Sequence, residues 1–403
     1  MFVLLMRFAA FRSLPSNVWI LAFSQALAMS GVPMMILVGS LLGAKIAPDE
    51  SLVTLPIAVI VIGTASATIP VALAMRRFGR KGGGYIGFCF GLAASFSGYQ
   101  AAALESFGFL LGSCFCLGVA SAFGQQFRFA ALESVKDPSD FGPALSAFMT
   151  GGLLAAYLGP EIGALGRDLV ESPHGFAGSF VLLGCVILTA ALVFSFFKER
   201  RSVEESVEVP TRSLGRIVRS KVFLVAVSTA ALSYVVMSFI MTATPITMHE
   251  VCGFSLDDTK RVIQGHIIAM FLPSVFSGWL MKRFGKGKLM LAGVVAYGVV
   301  IVVGMRGQEL VHFWGALILL GVGWNFLFAS GTALLPSAYE PSERYKAQAA
   351  NDFTVFGCQA VASLSAGWFL YSFGWGTLLL ACAPLVGVAL FVSVIQIRSE
   401  RGR

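Results

Sequence analysis

The chain has 403 residues, 57% of them hydrophobic and only 12% charged, with a formal net charge of +8. Soluble domains carry about 25% charged residues, so this composition excludes a soluble enzyme or binding module of ordinary make-up. The positive charge sits in short segments between apolar runs, which accounts for it without a nucleic-acid partner.

In chain order, the opening segment "MFVLLMRFAAFRS" is too short to cross a membrane and is interrupted by Arg7 and Arg12. It has no small-residue cleavage site of the kind that ends a signal peptide. Twelve apolar segments follow, each near the ~20 residues that let a helix cross ~30 Å of hydrocarbon. They are predicted at roughly 17–43, 51–75, 83–104, 107–131, 142–166, 175–197, 222–247, 262–281, 287–305, 311–336, 345–370 and 374–395. With the amino terminus inside, 23 of the 29 Lys and Arg residues fall in cytoplasmic segments and 5 in outer ones. That bias places both termini in the cytoplasm of a multi-pass inner-membrane protein. The seven cysteines show no paired metal-ligand spacing, so neither a metal site nor a disulfide framework is expected.

The polar segment 198–221 falls between spans 6 and 7 and reads as a cytoplasmic linker between two six-helix bundles, 1–197 and 222–403. Internal similarity supports the division. "LGVASAFGQQFRFAALESVKDPSDFGPA" at the end of span 4 matches "LGVGWNFLFASGTALLPSAYEPSERYKA" at the end of span 10, at an offset of 203 residues. Gly118 then meets Gly321, Pro138 meets Pro341, and Asp137 and Asp140 meet Glu340 and Glu343. "RRFGRK" after span 2 likewise matches "KRFGKG" after span 8. The predicted fold is an all-α polytopic membrane protein of twelve helices in two parallel six-helix repeats, an organisation typical of secondary transporters.

At these residues the chain resembles the major facilitator superfamily, over essentially its whole length. The family's loop motif after spans 2 and 8 appears as "ALAMRRFGRK", with Arg77, Gly79 and Arg80, and as "GWLMKRFGKG", with Gly278, Arg283 and Gly285. A basic residue, Arg76 or Lys282, stands where the family usually carries an acid. Span 5, "SAFMTGGLLAAYLGPEIGAL", is similar to the family's antiporter motif, retaining Gly159, Pro160 and Gly163. The resemblance implies alternating-access transport, with proton-coupled export as the first expectation and import of a metabolite, vitamin or chelator as the alternative. A non-transporting receptor or assembly factor is a third reading. No P-loop, nucleophile set or metal motif is present, and His174, His249, His266 and His312 are isolated from one another, so no enzyme and no cofactor is expected. The expected partners are a small-molecule substrate, protons and the lipid bilayer, and the chain is expected to be monomeric.

In the family, spans 1, 4, 7 and 10 line the central cavity. The resemblance therefore assigns Gln25, Gln125, Tyr234, Trp324 and Asn325 to substrate binding, beside methionines suited to an adaptable apolar wall. This mostly uncharged set fits an amphipathic organic solute. Arg128 lies about 31 Å along span 4 from Phe107, in the inner part of the membrane. It is read as snorkelling to lipid, binding an anionic substrate group, or pairing across the cytoplasmic gate; Asp352 in span 11 is the gate partner expected, with Arg76 or Arg77 of the loop after span 2 as the alternative partner of Asp352. On the outer side, Glu161 and His266 are the expected proton-coupling pair.

Overall fold

The computed structural model describes residues 14–49, 52, 55–137, 140–199 and 212–401. The opening segment 1–13 and linker residues 200–211 lie outside the described residues. Every long element described is an α-helix. Pass 1 consists of α1 (Ser16–Met29) and α2 (Gly31–Ile46), and passes 2 and 3 of α3 (Leu55–Leu104). Pass 4 comprises α4 (Phe107–Gln125) and α5 (Phe127–Glu133), followed by α6 (Phe141–Leu165) and α7 (Ala177–Ser195). After the short α8 (Leu214–Val218) come α9 (Lys221–Ile246), then α10 (Leu256–Phe271) and α11 (Ser274–Phe284) as pass 8. The chain ends with α12 (Lys286–Arg306), α13 (Leu310–Leu334), α14 (Arg344–Ala381) and α15 (Ala383–Arg401).

Ten helical stretches are long and apolar enough to cross a membrane, against twelve predicted segments. Two of the ten, of 50 and 61 residues, are more than twice the needed length. Each is interrupted by a glycine in the left-handed region, Gly79 at φ 74° and Gly374 at φ 78°. Divided there, the stretches fit twelve passes.

The repeat seen in the sequence has a physical counterpart. Gly79 and Gly285 (φ 87°) end matching helices with the same unusual backbone, which only glycine adopts without strain. In each case the amides that open the next helix donate to a distant carboxylate. Arg80 N and Lys81 N donate to Glu199, and Gly287 N donates to Glu400 at 3.1 Å. Glu199 follows the last helix of its repeat and Glu400 stands in the last turn of its own, and a carboxylate at a helix amino terminus satisfies orphan donors and the helix dipole together.

The glycines paired by the 203-residue offset, Gly118 and Gly321, do the same job twice. A Cβ on Gly118 would lie 2.2 Å from Ile60 O, and one on Gly321 would lie 2.7 Å from His266 O. Pass 4 thus packs backbone to backbone on pass 2, and pass 10 on pass 8. In lipid, where apolar side chains gain little by leaving the hydrocarbon, such close approach is a main source of helix association. Thr64 Oγ1 adds a 3.0 Å hydrogen bond to Gly118 O at the first crossing.

Several passes are broken inside their apolar length, and side chains take up the freed backbone. Ser30 Oγ donates to Leu27 O at 2.6 Å between α1 and α2. Pro273 breaks pass 8, where Asn325 Nδ2 donates to Met270 O at 2.7 Å and Ser146 Oγ donates to Ser274 O.

The chain divides into two compact units, one holding Leu14–Lys136 and Ala147–Glu208, the other holding Asp137–Ser146 and Val209–Arg403. Within the second unit the end of the linker is tied down. Arg212 grips the buried Glu343 with Nη2 at 2.6 Å and Nε at 3.1 Å, and also donates to Ala338 O at 3.2 Å. Lys346 Nζ donates back to Arg212 O.

The glycine crossing yields a paired test. Gly118→Ala should lower the thermal midpoint of the purified protein sharply, because overpacking against rigid backbone costs roughly 1–3 kcal/mol or more. Gly298→Ala, where a Cβ meets nothing within 4 Å, should leave the midpoint unchanged or raise it. Equal midpoints for the two variants would refute backbone contact at Gly118.

Candidate functional site

Polar side chains inside an apolar bundle are informative only where the helix itself does not satisfy them. On α9 most are satisfied. Thr229, Ser233, Thr244 and Thr247 all donate to carbonyls of their own helix at 2.7–2.9 Å, and Thr242 pairs with Ser363 at 3.0 Å. On α1 and α13 several are not. Ser24 Oγ and Gln25 Oε1 on α1, and Trp324 Nε1, Asn325 Oδ1 and Ser330 Oγ on α13, are buried with no hydrogen-bond partner among the described residues. An unmade hydrogen bond of this kind costs about 1–3 kcal/mol, so these two helices hold unused binding capacity.

In the first unit, Gln25 borders a small recess together with Met29, Ser121, Phe123 and Phe127. Its amide lies over Gly124, where a Cβ would come within 2.7 Å of Oε1. Gln125 is half-buried and directed to Arg128, whose Nη1 donates to Gln125 Oε1 at 3.2 Å.

In the second unit, Tyr234 and Trp324 stand in one aromatic cluster. The Tyr234 ring meets those of Trp324, Phe328 and Phe356 edge-on at 5.3, 5.1 and 5.4 Å. Trp324 stacks on Phe328 at 4.9 Å and meets Phe271 at 5.7 Å. These are the edge-to-face and offset separations favoured by aromatic quadrupoles. Asn325, next along α13, turns to the break in pass 8 and donates to Met270 O and to Ser274 Oγ at 2.6 Å.

Arg128 is 1% exposed and its guanidinium lies 4.6 Å from the Phe129 ring centroid. Snorkelling to lipid phosphate requires an exposed head, so that reading is excluded. Asp352 is equally buried and accepts from Asn351 Nδ2 at 2.9 Å. Arg128 belongs to the first unit and Asp352 to the second. His266 is also buried. Its Nδ1–H donates to Leu317 O at 2.8 Å, because a carbonyl only accepts, and this leaves Nε2 as an acceptor with no partner among the described residues. Glu161 is half-buried on α6.

The loop motif contains a network that the sequence reading did not anticipate. Arg80 is buried and bidentate to Glu133, at 2.6 and 3.2 Å, and donates to Gln126 Oε1 at 3.0 Å. Gln126 is the turn that separates α4 from α5. Arg77 and Arg283 are exposed, whereas Gly278 faces Gly142, whose carbonyl would lie 2.8 Å from an added Cβ. Lys282, which stands where an acid is usual, pairs with Asp140 at 2.7 Å. Span 5 also resolves in physical terms. Cβ atoms at Gly151, Gly159 and Gly163 would strike Ala22 O, Ser30 O and Val38, at 2.6, 2.5 and 3.0 Å. These glycines therefore seat α6 on α1 and α2.

A model of the Major Facilitator Superfamily matches residues 18–277 and 262–402. The riboflavin transporter RfnT of Brucella anthropi is 38% identical over 394 residues, covering 95% of this chain and 96% of that protein. An uncharacterized transporter of the same type from Bacillus subtilis, YddS, is 29% identical over 352 residues, 83% of this chain and 80% of its own. Among solved structures, the human organic anion transporter MFSD10 shares the fold with a TM-score of 0.75 at 12% identity, covering 94% of this chain and 100% of that one. Long apolar helices, a duplicated glycine crossing and matches along nearly the full length lead to one conclusion: this multi-pass membrane protein belongs to the Major Facilitator Superfamily of secondary transporters.

Proposed function

We propose that the chain carries riboflavin, or a solute of the same flavin class, across the inner membrane by alternating access, as a monomer with both termini cytoplasmic. The observation that carries this reading is the 38% identity to a riboflavin transporter over 95% of the chain. The chemistry of the two units supports it. A flavin combines a flat fused ring system with a hydroxylated tail, and no net charge is needed to bind it. The candidate residues are five aromatic rings, neutral amides and methionine, with unused donor and acceptor atoms on α1 and α13. Gln25, Gln125, Tyr234, Trp324 and Asn325 are the binding residues in this proposal.

Export by proton antiport is the second reading, favoured by the likeness of span 5 to the antiporter motif. The assay separates the two. A host unable to make riboflavin should grow on low external riboflavin only when it expresses the chain, if transport is inward. Preloaded cells should lose riboflavin faster, and lose that advantage with a protonophore, if the chain is a proton antiporter. Riboflavin movement in neither assay would overturn the substrate reading.

The gate is proposed to pair Arg128 with Asp352. The pairing is supported by the opposite charges and by the burial of both side chains. Arg128→Asp combined with Asp352→Arg should restore more transport than either single change. Absence of any rescue would refute the pair.

Coupling to protons, if present, is proposed to run through Glu161 and His266. The hydrogen bond from Nδ1 fixes the His266 ring with Nε2 as its proton-accepting atom. Glu161→Gln and His266→Asn should each flatten the dependence of transport on outer pH while the protein still inserts. A wild-type pH profile in both variants would remove them from the coupling path.

A further inference from the structure

We infer that the aromatic cluster of the second unit is the seat of the solute's fused ring, with the Trp324 indole N–H donating to an acceptor on the ring's edge. The inference rests on the flavin reading above and adds to it the atom and the part of the solute that meet.

Aromatic rings in a helical bundle commonly serve as packing, and four of the five here are fully explained as such by their mutual contacts. Trp324 is not. It is 2% exposed, and its Nε1 has no hydrogen-bond partner among the described residues. A buried tryptophan ordinarily finds an acceptor for its one donor, because the bare N–H costs about 1–3 kcal/mol. The rings of Tyr234, Phe271 and Phe328 lie 4.9–5.7 Å from that of Trp324, and Phe356 lies 5.4 Å from Tyr234, so the unmet donor is set among aromatic groups, which favour a further flat ring over a polyol. Thr229, Ser233 and Thr244 of α9, in contrast, have spent their hydroxyls on their own helix. The unspent donor therefore belongs to the helix that carries the stack. A ligand that answers it must be flat, polarizable and edged with acceptors. A fused heteroaromatic ring bearing ring nitrogens and carbonyls has that form, and a polyol alone does not.

The test uses purified full-length protein in detergent, with riboflavin as the probe and its fluorescence as the readout. Trp324→Phe keeps an aromatic face and removes the N–H, and should weaken riboflavin binding roughly tenfold or more. On the wild-type protein, lumichrome, which has the fused ring without the tail, should displace riboflavin, and ribitol at the same concentration should not. Riboflavin binding with unchanged affinity in Trp324→Phe would overturn this site while leaving the substrate reading intact. If the wild-type protein binds no riboflavin, the substrate reading falls and the site falls with it. Should Trp324→Phe fail to purify as a folded species, the competition decides alone. Displacement by ribitol and not by lumichrome would refute a ring seat.

Discussion

The structure depends on one constraint: within hydrocarbon, a backbone N–H or C=O has no water to turn to. A continuous helix meets that constraint by itself, but this chain interrupts its helices repeatedly, and side chains answer several of the interruptions. Ser30 turns back on Leu27, Asn325 reaches the carbonyl of Met270, and Ser146 reaches that of Ser274. Where pass 4 turns at Gln126, Arg80 comes across from the start of pass 3 and holds the amide of that residue together with Glu133. A buried guanidinium is tolerated there because two oxygens of a carboxylate and one of an amide share its donors.

Placing breaks in this way makes side chains that look functional serve the backbone, and the reverse also holds. Asn325 was read as a binding residue, yet its amide nitrogen braces pass 8 and only its oxygen is unspent. Trp324 has no partner for its N–H among the described residues. Ser233 and the threonines of α9 are the opposite case, since their hydroxyls are used within the helix. Residue type and depth in the membrane do not separate these roles. The hydrogen-bond inventory does.

Much of the fold was legible in the sequence because the membrane imposes a long, coarse signal. Apolar runs gave the passes, and repeated glycines and the "RFG" step gave the two halves. The pairing of Gly118 with Gly321 proved to be the same backbone crossing made twice. Less legible were features set by one distant partner. Glu133 lay in plain view near the end of span 4, but nothing local tells that its partner is Arg80 rather than lipid or water. The small residues of span 5 resembled a motif tied to transport direction, and three of its glycines are accounted for by carbonyls and side chains of α1 and α2. The candidate site was legible as a set of residue types on four passes. Which of them retain free polar atoms was not, because that follows from side-chain geometry.

The carboxylates of Glu199 and Glu400 carry a consequence for how such a chain is made. Each arrives only with the last helix of its repeat, yet each caps the start of the third. During synthesis, the third helix of either half therefore lacks its carboxylate cap until roughly a hundred further residues have emerged. The six-pass half is in that sense the smallest piece able to close its own ends. A gene cut in the linker leaves two closed pieces, whereas one cut a single pass earlier leaves an open one.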